Sequence, residues 1–178
     1  MRLFVAIDLP EPVREELTRI SSGLPGARWT RPEQLHLTLR FIGEVDGGLF
    51  ADIREELAGI SAEPFSLQLD GLGVFPPRGR PRVIWAGLRR SKALLRLRNQ
   101  IESALARVGI ARETRKFSPH ITLARLKTTP SARVGRFLEH HGLLASQPFP
   151  VDRFFLYSSQ LGRNGAIHCI EAEYLLAP

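Results

Sequence analysis

Two short stretches of this 178-residue chain carry the same alternating pattern. Leu35-His36-Leu37-Thr38-Leu39-Arg40 recurs, 84 positions later, as Pro119-His120-Ile121-Thr122-Leu123-Ala124-Arg125. Apolar–polar alternation of this length is a half-buried strand, because successive side chains of a strand point to opposite faces. His36 and Thr38 therefore share one face, and so do His120 and Thr122. Leu37, Leu39, Ile121 and Leu123 point the other way, into a core. The fold must bury the backs of both strands and leave an imidazole beside a hydroxyl on each front. One His-x-Thr is commonplace in a strand; two in matching contexts point to a shared site.

The remaining chain supplies the layers. Residues 2–9 read as a strand. Pro10 and Pro12 open a helix to about Ser22, with Val13, Leu17 and Ile20 on one face. Residues 34–45 form the first motif strand, and a second helix covers about 49–60. Residues 64–75 and 82–89 read as strands around the stiff basic loop Phe75-Pro-Pro-Arg-Gly-Arg-Pro-Arg82. Leu94, Leu97, Ile101, Leu105 and Val108 give residues 91–108 a helical period that Gly109 ends. The second motif strand is 120–127. A helix from Pro130 to about His141 follows, then strands at 148–157 and 166–176 joined by a turn around Gly162–Gly165. Helices mixed with hairpins predict an α+β fold with mostly antiparallel sheets. No linker or low-complexity tract divides the chain, so one domain over residues 1–178 is expected.

Composition excludes several classes. A chain of this size can bury about 70% of its unfolded surface, so it needs no disulfide or structural metal. No apolar run is long enough to cross a membrane. Met1–Asp8 reads as a strand rather than a signal peptide. The lone Cys169 cannot form an internal bridge and fits a reducing cytoplasm. Charge is uneven. From Arg78 to Arg136 there are 16 Lys and Arg against 2 acids, a balance of +14 within a chain of net +7. Such a stretch fits a polyanion, with nucleic acid first.

Two imidazoles and two hydroxyls suit phosphodiester hydrolysis. In-line attack needs a base on water and an acid on the leaving oxygen, and imidazole, with an ordinary pKa near 6.5, can do either near neutrality. Hydroxyls can donate to non-bridging oxygens, and an arginine fork can neutralise growing charge. A metal centre is disfavoured, since no Cys pair, His-x-x-x-His or acidic cluster accompanies the histidines. No glycine-rich phosphate loop is present.

At these residues the sequence resembles the two-histidine (2H) phosphoesterase superfamily, and within it the RNA 2′,3′-cyclic phosphodiesterases, also called 2′-5′ RNA ligases. The likeness spans nearly the whole chain. It rests on Arg2-Leu-Phe-Val-Ala-Ile7, Trp29 to Glu44, Arg82-Val-Ile-Trp-Ala-Gly87, Phe117 to Arg125 and Leu156-Tyr-Ser-Ser159. The resemblance implies two pseudo-symmetric lobes, one motif in each, facing across a central groove. It implies metal-independent opening of a terminal 2′,3′-cyclic phosphate to a 2′-phosphate, without a cofactor. His36 would be the proton donor and His120 the proton acceptor. Thr38, Thr122 and Arg125 would hold the phosphate. Arg125 lies five residues after His120, so strict alternation puts it on the wrong face unless the strand bulges. Arg40, at i+4 from His36, has the right parity. Relatives usually carry an aromatic where this chain has Ile167-His168, which bears on substrate preference.

Phe75, Arg78, Arg80 and Arg82 form a candidate RNA-binding lip, with Arg40, Lys116 and His168 as further candidate contacts. His140 and His141 suit the end of a helix dipole. Cys169 reads as a small core residue, and Trp29 and Trp85 as core or groove wall. The expected partner is RNA with 2′,3′-cyclic phosphate ends, bound by a cytoplasmic monomer with no membrane or metal partner; 2′-5′ joining is the allowed reverse reaction. Two alternatives stand beside this: a small cyclic nucleotide or ADP-ribose cyclic phosphate as substrate, and a non-catalytic RNA-binding module.

Overall fold

The strand expected at the N-terminus forms at Arg2–Asp8 (β1), in a computed structural model that describes residues 1–178. It lies inside a four-stranded antiparallel sheet, sheet A. His36–Glu44 (β3) flanks it on one side and Arg153–Gly162 (β9) on the other, with Gly165–Leu175 (β10) at the far edge. Sheet B is also four-stranded and antiparallel. Its order is Ala27–Trp29 (β2), His120–Leu126 (β7), Val83–Leu88 (β6), Leu69–Phe75 (β5). A two-stranded ribbon pairs Phe65–Leu67 (β4) with Phe149–Val151 (β8).

Four helices cover the backs of the sheets: Glu11–Ile20 (α1), Gly47–Ala58 (α2), Lys92–Arg107 (α3) and Ser131–His141 (α4). Local chemistry sets their ends. The Asp46 and Ser91 side chains accept the backbone N–H of Leu49 and Leu94, capping α2 and α3. The Asp46 cap starts α2 two residues before the apolar pattern alone suggests. Leu3, Val5 and Ile7 of β1, Leu37 and Leu39 of β3 and Ile121 and Leu123 of β7 join one core of 33 buried residues. That core takes side chains from all four helices. No helix is long and apolar enough to cross a membrane.

The α+β order matches the sequence reading, with three differences of detail. β2 has too few residues to show a period and forms only by pairing with β7. The strand expected over 64–75 breaks at Gln68, because β4 pairs with β8 while β5 pairs with β6. The strand expected over 148–157 breaks at Asp152, and β9 continues to Gly162. Cys169 is a correction. It is exposed, not core, because β10 is the sheet's edge strand and nothing covers it there.

Candidate active site

β3 and β7 run close to each other, one at the edge of sheet A and the other inside sheet B. Residues 30–35 carry the chain from β2 to β3 and tie the two motifs together. The Thr30 N–H donates to the Leu123 carbonyl at 2.8 Å and its hydroxyl to the Thr122 carbonyl at 3.0 Å.

Register decides which side chains share a face. Opposed residues of an antiparallel pair project to the same side. In sheet A, Asp8 opposes His36, Ala6 opposes Thr38 and Phe4 opposes Phe41. A bulge intervenes between Thr38 and Arg40, and it places Arg40 opposite the buried Val5. In sheet B, Gly87 opposes His120, Trp85 opposes Thr122 and Val83 opposes Arg125, again with a bulge before Ala124. The same device therefore sits at the same place in both motif strands. It returns the fifth residue after each histidine to the motif face: Phe41 in β3 and Arg125 in β7. Arg125 thus joins His120 and Thr122.

Arg40, expected as an RNA contact, is a correction. The bulge turns it to the core side, where its side chain is 9% exposed and its Nε donates to Glu102 Oε1 at 2.5 Å. Glu102, 3% exposed, also receives Arg98 Nη2 at 3.2 Å and the backbone N–H of Glu113 at 3.2 Å. Arg40 Nη2 donates to the Ala111 carbonyl. This network joins β3 to α3 and to the loop that leads into β7.

The β9–β10 hairpin reaches both faces. Arg28 opposes Arg125 on the front of sheet B, and its Nη2 donates to the Asn164 carbonyl at 3.0 Å, at the tip of the β9–β10 hairpin. His168 on that hairpin lies against His36, with ring centroids 5.5 Å apart.

Each motif histidine is held in the same way. The Nδ1 of His36 meets the Gln34 carbonyl at 2.6 Å and that of His120 meets the Ser118 carbonyl at 2.7 Å. A carbonyl can only accept, so both Nδ1 atoms carry the proton and both Nε2 atoms are left for chemistry. An aromatic ring supports each imidazole: Phe4 lies 5.1 Å from His36, and Phe75 lies edge-on, 4.9 Å from His120. Trp85 spreads beside Phe75 over Gly73, where any Cβ would meet its indole at 2.1 Å.

The electrical settings of the two histidines differ. Burial lowers the His36 pKa from 6.5 to about 4; His168 and Arg14 push the same way, while the Gln34 carbonyl and Asp8 oppose. Burial also lowers His168. The Tyr157 hydroxyl donates to Asp8 and is itself held well above its ordinary pKa, first by burial and then by that bond. Asp8, Arg31, Glu33, Gln34, His36, Tyr157, Ile167 and His168 line a cavity of about 210 Å³. The neighbours of His120 are instead the rings of Phe75 and Trp85 and the Ser118 carbonyl. A larger cavity of about 430 Å³ lies between α2 and α3, and no motif residue lines it.

Most sequence-derived site residues assemble. His36, Thr38, His120, Thr122 and Arg125 share the motif faces, Phe75 touches His120, and His168 touches His36. Arg78, Arg80 and Arg82 lie exposed on the loop beyond β5, and Lys116 lies exposed before β7. Asp8, Tyr157, Gln34 and Arg28 were not singled out. Asp8 was within reach of the β1 alternation, since it follows Phe4 and Ala6 on the same face. No group of three His, Cys, Asp or Glu side chains is arranged to hold a metal ion.

The model of the LigT-like phosphoesterases matches residues 7–85 and 88–168. This chain belongs to that family. An RNA 2′,3′-cyclic phosphodiesterase of Archaeoglobus fulgidus is 39% identical over 130 residues, covering 71% of this chain and 73% of that protein. A protein of the same name from Thermotoga maritima is 36% identical and covers 94% of this chain and 91% of its own length. Among solved structures, TT0787 of Thermus thermophilus superposes with a TM-score of 0.85 at 29% identity, covering 99% and 98% of the two chains. E. coli LigT complexed with 3′-AMP gives 0.81 at 28% identity, with the same coverage. The α+β phosphoesterase fold that the resemblance implies is thus the fold found.

Proposed function

We propose that this LigT-like phosphoesterase opens 2′,3′-cyclic phosphate ends of RNA to 2′-phosphates, as a metal-independent monomer of the cytoplasm. One observation carries the reading. Two imidazoles, each with Nδ1 pinned to a backbone carbonyl and Nε2 free, stand beside a threonine on matched strand faces. The names of its relatives agree with it.

The chemistry balances with these groups alone. His120 Nε2 takes a proton from water as the water oxygen bonds to phosphorus. The P–O3′ bond breaks, and His36 Nε2 gives its proton to O3′. Thr38, Thr122 and Arg125 bind the non-bridging oxygens, where charge grows. Both imidazoles then exchange protons with solvent. His36, low in the free protein, regains its proton when an anionic phosphate enters, since an adjacent opposite charge raises such a group by about 1 to 3 pH units. The same sequence with a different nucleophile is 2′-5′ joining of RNA ends. It needs a 5′-hydroxyl where water stood, and water outcompetes it.

The test is incubation in EDTA with a short RNA ending in a 2′,3′-cyclic phosphate. A 2′-phosphate product is expected, with His36→Ala and His120→Ala each lowering kcat by at least about 10²-fold. Binding without turnover would leave an RNA-binding module. A requirement for divalent metal would overturn the two-imidazole mechanism.

A further inference from the structure

The cations of sheet B lack acidic partners. Arg28 and Arg125 stand side by side on the His120 face. Lys127 lies two residues beyond Arg125, about 6.6 Å along an extended chain. Arg80 reaches back over the end of β7, with its Nη2 donating to the Lys127 carbonyl at 2.7 Å. Arg78 and Arg82 flank it on the same loop, both exposed. The ion pairs of the structure involve Arg2, Arg14, Arg31, Arg40, Arg98, Arg107, Arg153 and the N-terminus, and none of these six cations.

These exposed cations form no ion pair; Arg28 and Arg80 each place one N–H on a backbone carbonyl, and Arg78, Arg82, Arg125 and Lys127 make no side-chain hydrogen bond. Arg80 spends one of its five N–H donors on Lys127 and keeps the others free. The opposite rim is different. Asp8 and Glu33 line the cavity beside His36 and are paired there with Arg14 and Arg31 at 3.8 and 3.9 Å, so the one arginine lining that cavity is already partnered. A chain carrying one negative charge per nucleotide is therefore drawn toward the unpaired cations of the sheet B rim.

We propose that the RNA leading to the reacting end leaves the site over sheet B, passing Arg125 and Arg28 and then the rim formed by Lys127, Arg80, Arg78 and Arg82. This rests on the phosphodiesterase reading and adds the route of the polynucleotide. The track selects an RNA end over a free cyclic mononucleotide, because only a longer chain reaches Lys127 and Arg80. Affinity along it comes from counterion release and depends on salt.

The experiment compares a 2′,3′-cyclic mononucleotide with a five-nucleotide RNA carrying the same terminal base and cyclic phosphate. It uses the native protein, Arg80→Ala/Lys127→Ala, and Arg89→Ala/Arg96→Ala as a control that removes exposed cations of the same basic segment elsewhere. The RNA is expected to exceed the mononucleotide in kcat/KM by about tenfold or more at low salt, mainly through KM. Arg80→Ala/Lys127→Ala removes most of that advantage and leaves mononucleotide turnover unchanged. It also flattens the slope of log KM against log salt by about 1.4, at about 0.7 per lost contact to a single strand. The control pair keeps the advantage. Equal loss with the control pair, or a native enzyme indifferent to RNA length, overturns the track and leaves the hydrolysis intact. Turnover of neither substrate overturns the hydrolysis itself.

Discussion

The pKa of His36 is the residue-scale quantity with the most direct readout. It is about 4 in the free protein, first through burial. The pH profile of kcat/KM reports the free enzyme, so one limb is expected near pH 4. In kcat the same limb moves up, because the bound phosphate favours the imidazolium. Asp8→Asn removes an anion that favours the charged form and drives the kcat/KM limb lower. His168→Gln removes a cation-forming neighbour and moves it higher. An unmoved limb in both variants would show that neither group acts on His36. The histidines and threonines themselves were legible in the sequence, because i and i+2 parity is a local property of a strand. The roles of Arg40, Phe41 and Arg125 were not. Their faces depend on a bulge, and a bulge is set by the partner strand. Cys169 misled for a related reason: whether a strand face is covered is decided by elements far away in sequence.

At the scale of elements, the buried charges around Glu102 hold β3, α3 and the loop before β7 together. Removing one partner of a buried ion pair costs about 3–5 kcal/mol, since the other charge is left uncompensated. Arg98 and the Glu113 N–H still hold Glu102, so Arg40→Ala is expected to lower unfolding stability by the low end of that range, about 3 kcal/mol, in urea titration. At a temperature where the variant stays folded, it should keep most of its turnover. A large fall in kcat with unchanged stability would return Arg40 to the substrate. The long helices and motif strands were readable from period and caps, as Ser91 and the leucines of α3 illustrate. β2 and the breaks at Gln68 and Asp152 were not readable, because three-residue strands have no period and a change of partner leaves no local mark.

For the whole molecule, the two sheets share one continuous core of 33 residues rather than owning one each. The expected consequence is a single cooperative unfolding transition, with near- and far-ultraviolet circular dichroism superimposing through the melt. Two separated transitions would mean that the sheets are independent domains, contrary to the expectation of one domain over residues 1–178. The paired bulges have a further consequence. Two equivalent imidazoles on matched strands would leave in-line displacement degenerate: either could serve the entering oxygen and either the departing one. The fold copies the backbone device but not the residue it presents, an arginine on one strand and a phenylalanine 68% exposed on the other. A cation on one motif face and an exposed apolar ring on the other help to lift that degeneracy. The site acquires a polarity, and the reaction a direction through it, in part from a difference of one side chain.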